Sequence, residues 1–239
     1  MISKQEIYFP RPSDFNDPFD GNIPIRWDLM TYKDCFKKNL DIINIKHKDK
    51  DQKSVREYAK KVTDEKTLWH PDKLKRERPE QLEKWNSIIG LLSLSSIPDN
   101  ILMWSHYSFN HTGFVVGLDS KSLMEKYDFD YFESIVYQEY YPLITGDDDG
   151  TTQFYKKFFH KSELWKYENE WRISKNHMDK RVVKLEKDTI KEIIIGCRTT
   201  TKETNNIIKL TRKNLGFDVQ IMKASQNKDN FKITIDTIE

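Results

Sequence analysis

In 239 residues there are only two cysteines, eight glycines and eight prolines. Cys35 and Cys197 form no C-x-x-C pattern, which excludes a disulfide scaffold and a zinc ribbon. No apolar run approaches the roughly eighteen residues of a membrane span, and the opening MISKQEIYF has no apolar signal core. A cytoplasmic protein without membrane attachment is expected. Charge of one sign is missing too: 40 basic residues face 38 acidic ones, a formal net charge of +2. That balance gives no bulk field for a polyanion and disfavours nucleic acid as the partner.

What is present is a foldable composition, 37% hydrophobic and 13% aromatic. A chain of this length should bury roughly 70–75% of the surface its unfolded form exposes, enough for a core without staples. One domain over residues 1–239 is the expectation, with a helical insertion at about 28–89. In that block Leu29, Tyr32, Phe36, Leu40 and Ile43 recur at three and four spacing, followed by Val55, Tyr58 and Val62, then Leu74, Leu82, Trp85 and Ile89. Its charge runs read as solvated helix faces.

Beyond the block the texture alternates. The strand candidates are GLLSLSS, GFVVGLD, YFESIVYQEYY, EWRIS, IKEIIIG, FDVQIMKA and FKITID, with EIYF before them at the start of the chain. Short helices fit 100–107, 120–126, 152–164 and 202–215, the last stopped by Gly216. Helices do not alternate strictly with strands, so an α+β fold with a mixed, mostly antiparallel sheet is expected. The acidic turn TGDDDG at 145–150 is the expected mobile loop.

Three segments concentrate side chains able to do chemistry. In DFNDPFDG, Asn16 and Asp17 can bond nearby backbone, and Pro18 holds Asp17 extended. The segment is either a structural turn or a loop presenting Asn16 and Asp17 to a polar ligand, with Phe15 and Phe19 as anchors. In ILMWSHYSFNHTGF, a short helix would place Trp104 near Tyr107, and Met103 on the side of His106 and Tyr107, as one aromatic wall of a pocket. His106 and His111 lack the same-face spacing of a helical zinc pair, and no metal site is expected. In WKYENEWRIS, strand alternation would put Glu168, Glu170 and Arg172 on one face. Such a face is either a solvated surface or a dry site suited to acid/base work or to stabilising a cation. WHPDK at 69–73 is similar to the His-Pro-Asp turn of J-domain co-chaperones, but the match is local.

Taken in order, F-N-D-P-F, M-W-x-H-Y with its following glycine, and Y-E-x-E-W-R resemble the bacterial family called domain of unknown function 2971. The resemblance spans nearly the whole chain apart from the helical block. It implies, by analogy with phage-resistance and toxin proteins, a role in bacterial conflict. Glu168-Asn169-Glu170 is also similar to the E-x-E signature of ADP-ribosyltransferases, and Ser93–Ser96 resemble their serine-bearing strand, which brings Ser95 among the ligand-binding candidates. That likeness implies NAD as a substrate rather than a bound cofactor. Glu170 would stabilise an oxocarbenium-like state, Glu168 would orient or deprotonate an acceptor, and Trp104 or Tyr107 would pack on nicotinamide, with His106 as the anchor. The expected site is therefore Glu170, Glu168 and His106 as catalytic groups, with Asn16, Asp17, Ser95, Trp104, Tyr107 and Arg172 binding ligand. The expected function is an NAD-consuming transferase or glycohydrolase. Its rivals are a non-catalytic nucleotide-sensing module, whose helical block contacts a protein partner, and a polar core network that only supports the fold.

Overall fold

A computed structural model describes residues 1–65, 80 and 83–238. The J-domain-like WHPDK lies outside the described residues. Strands run at β1 Glu6–Tyr8, β2 Ile89–Ser95, β3 Phe114–Leu118, β4 Tyr131–Ser134, β5 Val136–Gln138, β6 His160–Ser162, β7 Glu170–Asn176, β8 Val182–Lys184, β9 Ile190–Ile195, β10 Gln220–Gln226 and β11 Ile233–Thr237. Helices run at α1 Tyr32–Lys46, α2 Gln52–Asp64, α3 Ile101–Tyr107, α4 Ser120–Lys126, α5 Gly150–Phe158 and α6 Thr201–Leu215. The fold is α+β, and most strand pairs are antiparallel. No described helix is long and apolar enough to cross a membrane.

The chain divides into two compact units. Unit 1 comprises Met1–Arg11, Ile88–Ile135 and Leu164–Glu239, and unit 2 comprises Pro12–Ser87 and Val136–Glu163. In unit 1 one sheet has the order β11-β10-β9-β3 and another the order β2-β7-β4, while β1 pairs with β8. β9 and β10 are parallel, joined through α6, a β-α-β crossover in an otherwise antiparallel sheet. The run Ile193-Ile194-Ile195 explains why β9 is central. Ile193 and Ile195 enter one apolar cluster with Ile173 and Ile221, while Ile194 enters another with Trp104, Ala224 and Ile233, so both faces are buried. Thr200 opens α6 with a capping box shared with Glu203.

Unit 2 holds α1 and α2, which pack Ile43 against Val55 and Ala59, further helical residues at 83–87, and the β5-α5-β6 segment. Trp85 packs edge-on against Phe158, with ring centroids 5.7 Å apart, and lies 6.2 Å from Phe154. The helical block thus shares its unit with residues 136–163. Within TGDDDG, Asp149 caps α5 by accepting from the Thr152 N–H, and Asp148 pairs with Lys156 at 2.9 Å.

Candidate functional site

In unit 1 the expected aromatic segment folds as α3. Asn100 starts the helix: its side-chain oxygen accepts from the Met103 N–H at 3.1 Å, and its amide donates to the Tyr167 carbonyl at 3.0 Å. One residue therefore caps α3 and ties it to the turn before β7. Trp104 faces inward, 2% exposed, with its indole N–H on the Pro98 carbonyl at 2.7 Å and its ring stacked on His111 at 6.4 Å. Burial corrects its expected placement on a ligand wall: Trp104 is a core residue whose polar atom is already satisfied.

His106 and Tyr107 lie on the exposed side of the same helix, Tyr107 at 50%. The Tyr107 hydroxyl donates to Glu168 Oε1 at 2.8 Å, a bond strengthened by the carboxylate charge. His106 Nδ1 lies 3.4 Å from the Tyr167 hydroxyl, and the two rings meet edge-on at 6.4 Å. Trp165 extends the row, 5.9 Å from the Tyr167 ring. Helix end and turn together carry a line of aromatic rings.

The expectation that Glu168, Glu170 and Arg172 share one strand face is corrected. Glu163–Glu168 is a 3₁₀ turn, and Asn169 follows it with φ 42°, the left-handed region that asparagine tolerates better than most residues. β7 begins only at Glu170. Glu168, 4% exposed, turns toward Tyr107, while Glu170 and Arg172 remain on one strand face. Arg172 donates from Nε at 2.8 Å and Nη2 at 2.6 Å, both to Glu170 Oε1. Glu170 is 3% and Arg172 0% exposed, so this is a buried ion pair and not the surface pairing that the alternation also allowed.

The serine strand lies directly beside this pair. In the antiparallel register of β2 with β7, Ser95 stands opposite Glu170 and Ser93 opposite Arg172. The Ser95 hydroxyl donates to the Glu168 carbonyl at 2.7 Å and accepts from the Ile97 N–H at 3.2 Å. Unit 1 thus brings together Ser95, Tyr107, Glu168, Glu170 and Arg172, with His106 next to Tyr107.

Asn16 and Asp17 belong to unit 2. Asp17 is 7% exposed; its carboxylate accepts from the Phe19 N–H at 2.9 Å and its carbonyl from the Asp20 N–H at 3.2 Å, an Asx-type turn. Asp20 pairs with Lys161 at 3.8 Å, both buried. Asn16 is exposed, and Phe19, expected as an anchor, is 61% exposed.

Sequence reasoning missed the turn after α3. Phe109, Asn110 and His111 have φ of 49°, 54° and 68°, three consecutive left-handed residues. Each such non-glycine residue costs roughly 1–2 kcal/mol, and a dense set of bonds holds the turn. His111 N–H donates to the Trp104 carbonyl at 3.2 Å, Gly113 N–H to Ser108 at 2.8 Å, and Arg198 N–H to His111 at 3.0 Å. His111 Nε2 and the Ser105 hydroxyl are 2.9 Å apart, while its buried Nδ1 has no hydrogen-bond partner among the described residues. The available signal was N-H-T-G before a strand, a turn composition. Among the described residues no group of three or more His, Cys, Asp or Glu could hold a metal ion.

No curated protein and no solved structure matches the chain. A family model does match residues 103–173, which run from Met103 on α3 through Tyr107, Glu168 and Glu170 to Ile173 on β7. That segment, which carries both residues of the buried pair and most of the aromatic row, is similar to the family described as Protein of unknown function (DUF2971).

Proposed function

We propose that the chain is a non-catalytic, nucleotide-sensing module whose ligand stacks its base on the aromatic row of His106, Tyr107 and Tyr167. The state of Glu170 supports this reading above the alternatives. A carboxylate that stabilises a developing cation must face the reacting atoms with its charge available. Glu170 is 3% exposed, and one of its oxygens already takes two bonds from Arg172. Tyr107, by contrast, is half exposed with its hydroxyl fixed by Glu168, a flat face held in place. Such a face binds without paying to order itself.

A second reading has its own support. Ser95 stands opposite Glu170 on the neighbouring strand, the adjacency that an ADP-ribosyltransferase-like or glycohydrolase-like protein of bacterial conflict would use. There Glu170 would have to exchange Arg172 for the ribosyl cation of NAD. Nicotinamide release from NAD separates the two, run with wild type beside Glu170→Gln and with folding matched by circular dichroism. The sensing reading expects saturable nucleotide binding, weakened by Tyr107→Ala, and no release. Release by wild type that Glu170→Gln abolishes would replace it with the NAD-consuming reading.

A further inference from the structure

At the other end of α3, unit 1 contains a cavity of about 530 Å³ that the aromatic row does not use. Its size falls within the roughly 300–1,000 Å³ typical of small-molecule sites. It lies between the β10–β11 hairpin, the loop after β9 and the first residue of α3. Ile101 lies on it, and a rise of 1.5 Å per residue separates Ile101 from Tyr107 by about 9 Å along the helix.

The charges lining the cavity are unbalanced. Arg198, Lys228 and Lys232 face it with one carboxylate, Asp229. Among the described residues, none of those three cations has an ion pair or a side-chain hydrogen bond. Lys126 in the same unit, by contrast, is matched by Glu186 and Asp188. Three unmatched cations around one concavity repel each other, and an anion with several acceptor oxygens relieves that repulsion while taking their donors.

Apolar surface sits in the same place. Phe231 is 101% exposed and Ile101 38%, with Cys197 half-buried beside them. A phenylalanine left in water forgoes the gain of burying its ring, so its position at the rim of a cationic cavity suits a ligand with a flat apolar part.

Both walls are fixed in advance. In the hairpin, Asn227 Oδ1 accepts from the N–H groups of Asp229 at 2.9 Å and Asn230 at 3.0 Å, and Asn227 N–H donates to the Lys232 carbonyl at 2.9 Å. Opposite, the Arg198 N–H is held by the His111 carbonyl, and the Thr199 hydroxyl donates to the Thr112 carbonyl at 2.8 Å. Gly196 permits this close seam, because a Cβ there would run into the His111 carbonyl. A preformed wall loses little ordering entropy on binding.

We infer that this cavity binds a mononucleotide, its phosphate among Arg198, Lys228 and Lys232 and its base against Phe231. Asp229 is the acceptor suited to a ribose hydroxyl. One aromatic ring and a bounded cavity fit a single nucleotide better than a strand, which needs successive stacking platforms. The site is independent of the aromatic row and stands whether or not that row binds ligand.

The test is isothermal titration of the full chain with adenosine 5′-monophosphate, adenosine and inorganic phosphate at low salt. Adenosine monophosphate should bind saturably and at least about tenfold more tightly than either fragment, since both halves of the site contribute. Arg198→Ala and Lys232→Ala should each weaken it about tenfold or more, the loss of a charge-assisted contact. Phe231→Ala should weaken adenosine monophosphate and adenosine and leave phosphate unchanged. All three residues are exposed, and circular dichroism checks that the variants fold. Lys121→Ala, on the exposed side of α4, should leave this binding intact. Binding that survives Arg198→Ala, Lys232→Ala and Phe231→Ala but falls with Tyr107→Ala would overturn the cavity and keep the aromatic-row reading. Absence of saturable mononucleotide binding, or binding of single-stranded oligodeoxythymidine alone, would also overturn it.

Discussion

Arg172→Leu tests the central physical claim about the site. Arg172 is 0% exposed and gives two hydrogen bonds to Glu170, itself 3% exposed. Leucine keeps apolar bulk and takes the Arg172 guanidinium away from the buried Glu170 charge. Breaking a buried pair from one side costs about 3–5 kcal/mol, because desolvation of the remaining ion is no longer offset. For a chain of this size each kcal/mol moves Tm by about 2–4 °C, so the midpoint should fall by about 6–20 °C. The double variant Glu170→Gln with Arg172→Leu removes both charges and should recover part of the loss. A double-mutant cycle in urea should give a coupling of about 1–3 kcal/mol. A single variant within about 2 °C of wild type, or a double variant equal to the sum of the singles, would refute the buried pair.

Gly196→Ala should destabilise unit 1 by about 1–3 kcal/mol, the usual cost of overpacking, because its Cβ collides with the carbonyl of His111; urea midpoints of the two proteins measure it, and an unchanged midpoint would mean that the seam between residues 111–113 and 196–199 yields easily. In unit 2, burial pushes the His160 imidazole below its ordinary 6.5, and Lys156 adds to the shift against the bond to the Tyr155 carbonyl. Between the folded value and 6.5 the unfolded chain binds more protons, so stability should decline as pH falls below about 6.5. His160→Gln should flatten that part of a urea-midpoint profile, and an equally steep profile in the variant would assign the dependence to other groups.

The strands that could be read from the sequence are those whose pattern is set by burial. IKEIIIG reads as a strand because both its faces are covered, and GLLSLSS because only one end is. Run YFESIVYQEYY, expected as one strand, breaks at Ile135. Its N–H bonds to the Glu170 carbonyl, while that of Val136 bonds to Phe159, so the run is divided between two pairings that no periodicity announces. A helix expected over 152–164 ends at Phe158, because His160–Ser162 pairs in parallel with β5. The three-residue strands β6 and β8 carry too few positions for alternation to register.

Candidate-site residues were legible as a set and not as an arrangement. Residue type marked His106, Tyr107, Glu168 and Glu170, but the spacing rule that joined the two glutamates assumes an unbroken strand. Asn169 at φ 42° breaks it, and with it the equivalence of the two carboxylates. Glu168 accepts from a tyrosine on a half-exposed helix end, while Glu170 is neutralised by an arginine two residues along its own strand. A ligand stacked on the proposed aromatic row would meet Glu168 through Tyr107, whereas a reaction at Glu170 would first have to separate it from Arg172. The E-x-E spacing predicts neither condition, because both follow from one backbone conformation between the two glutamates.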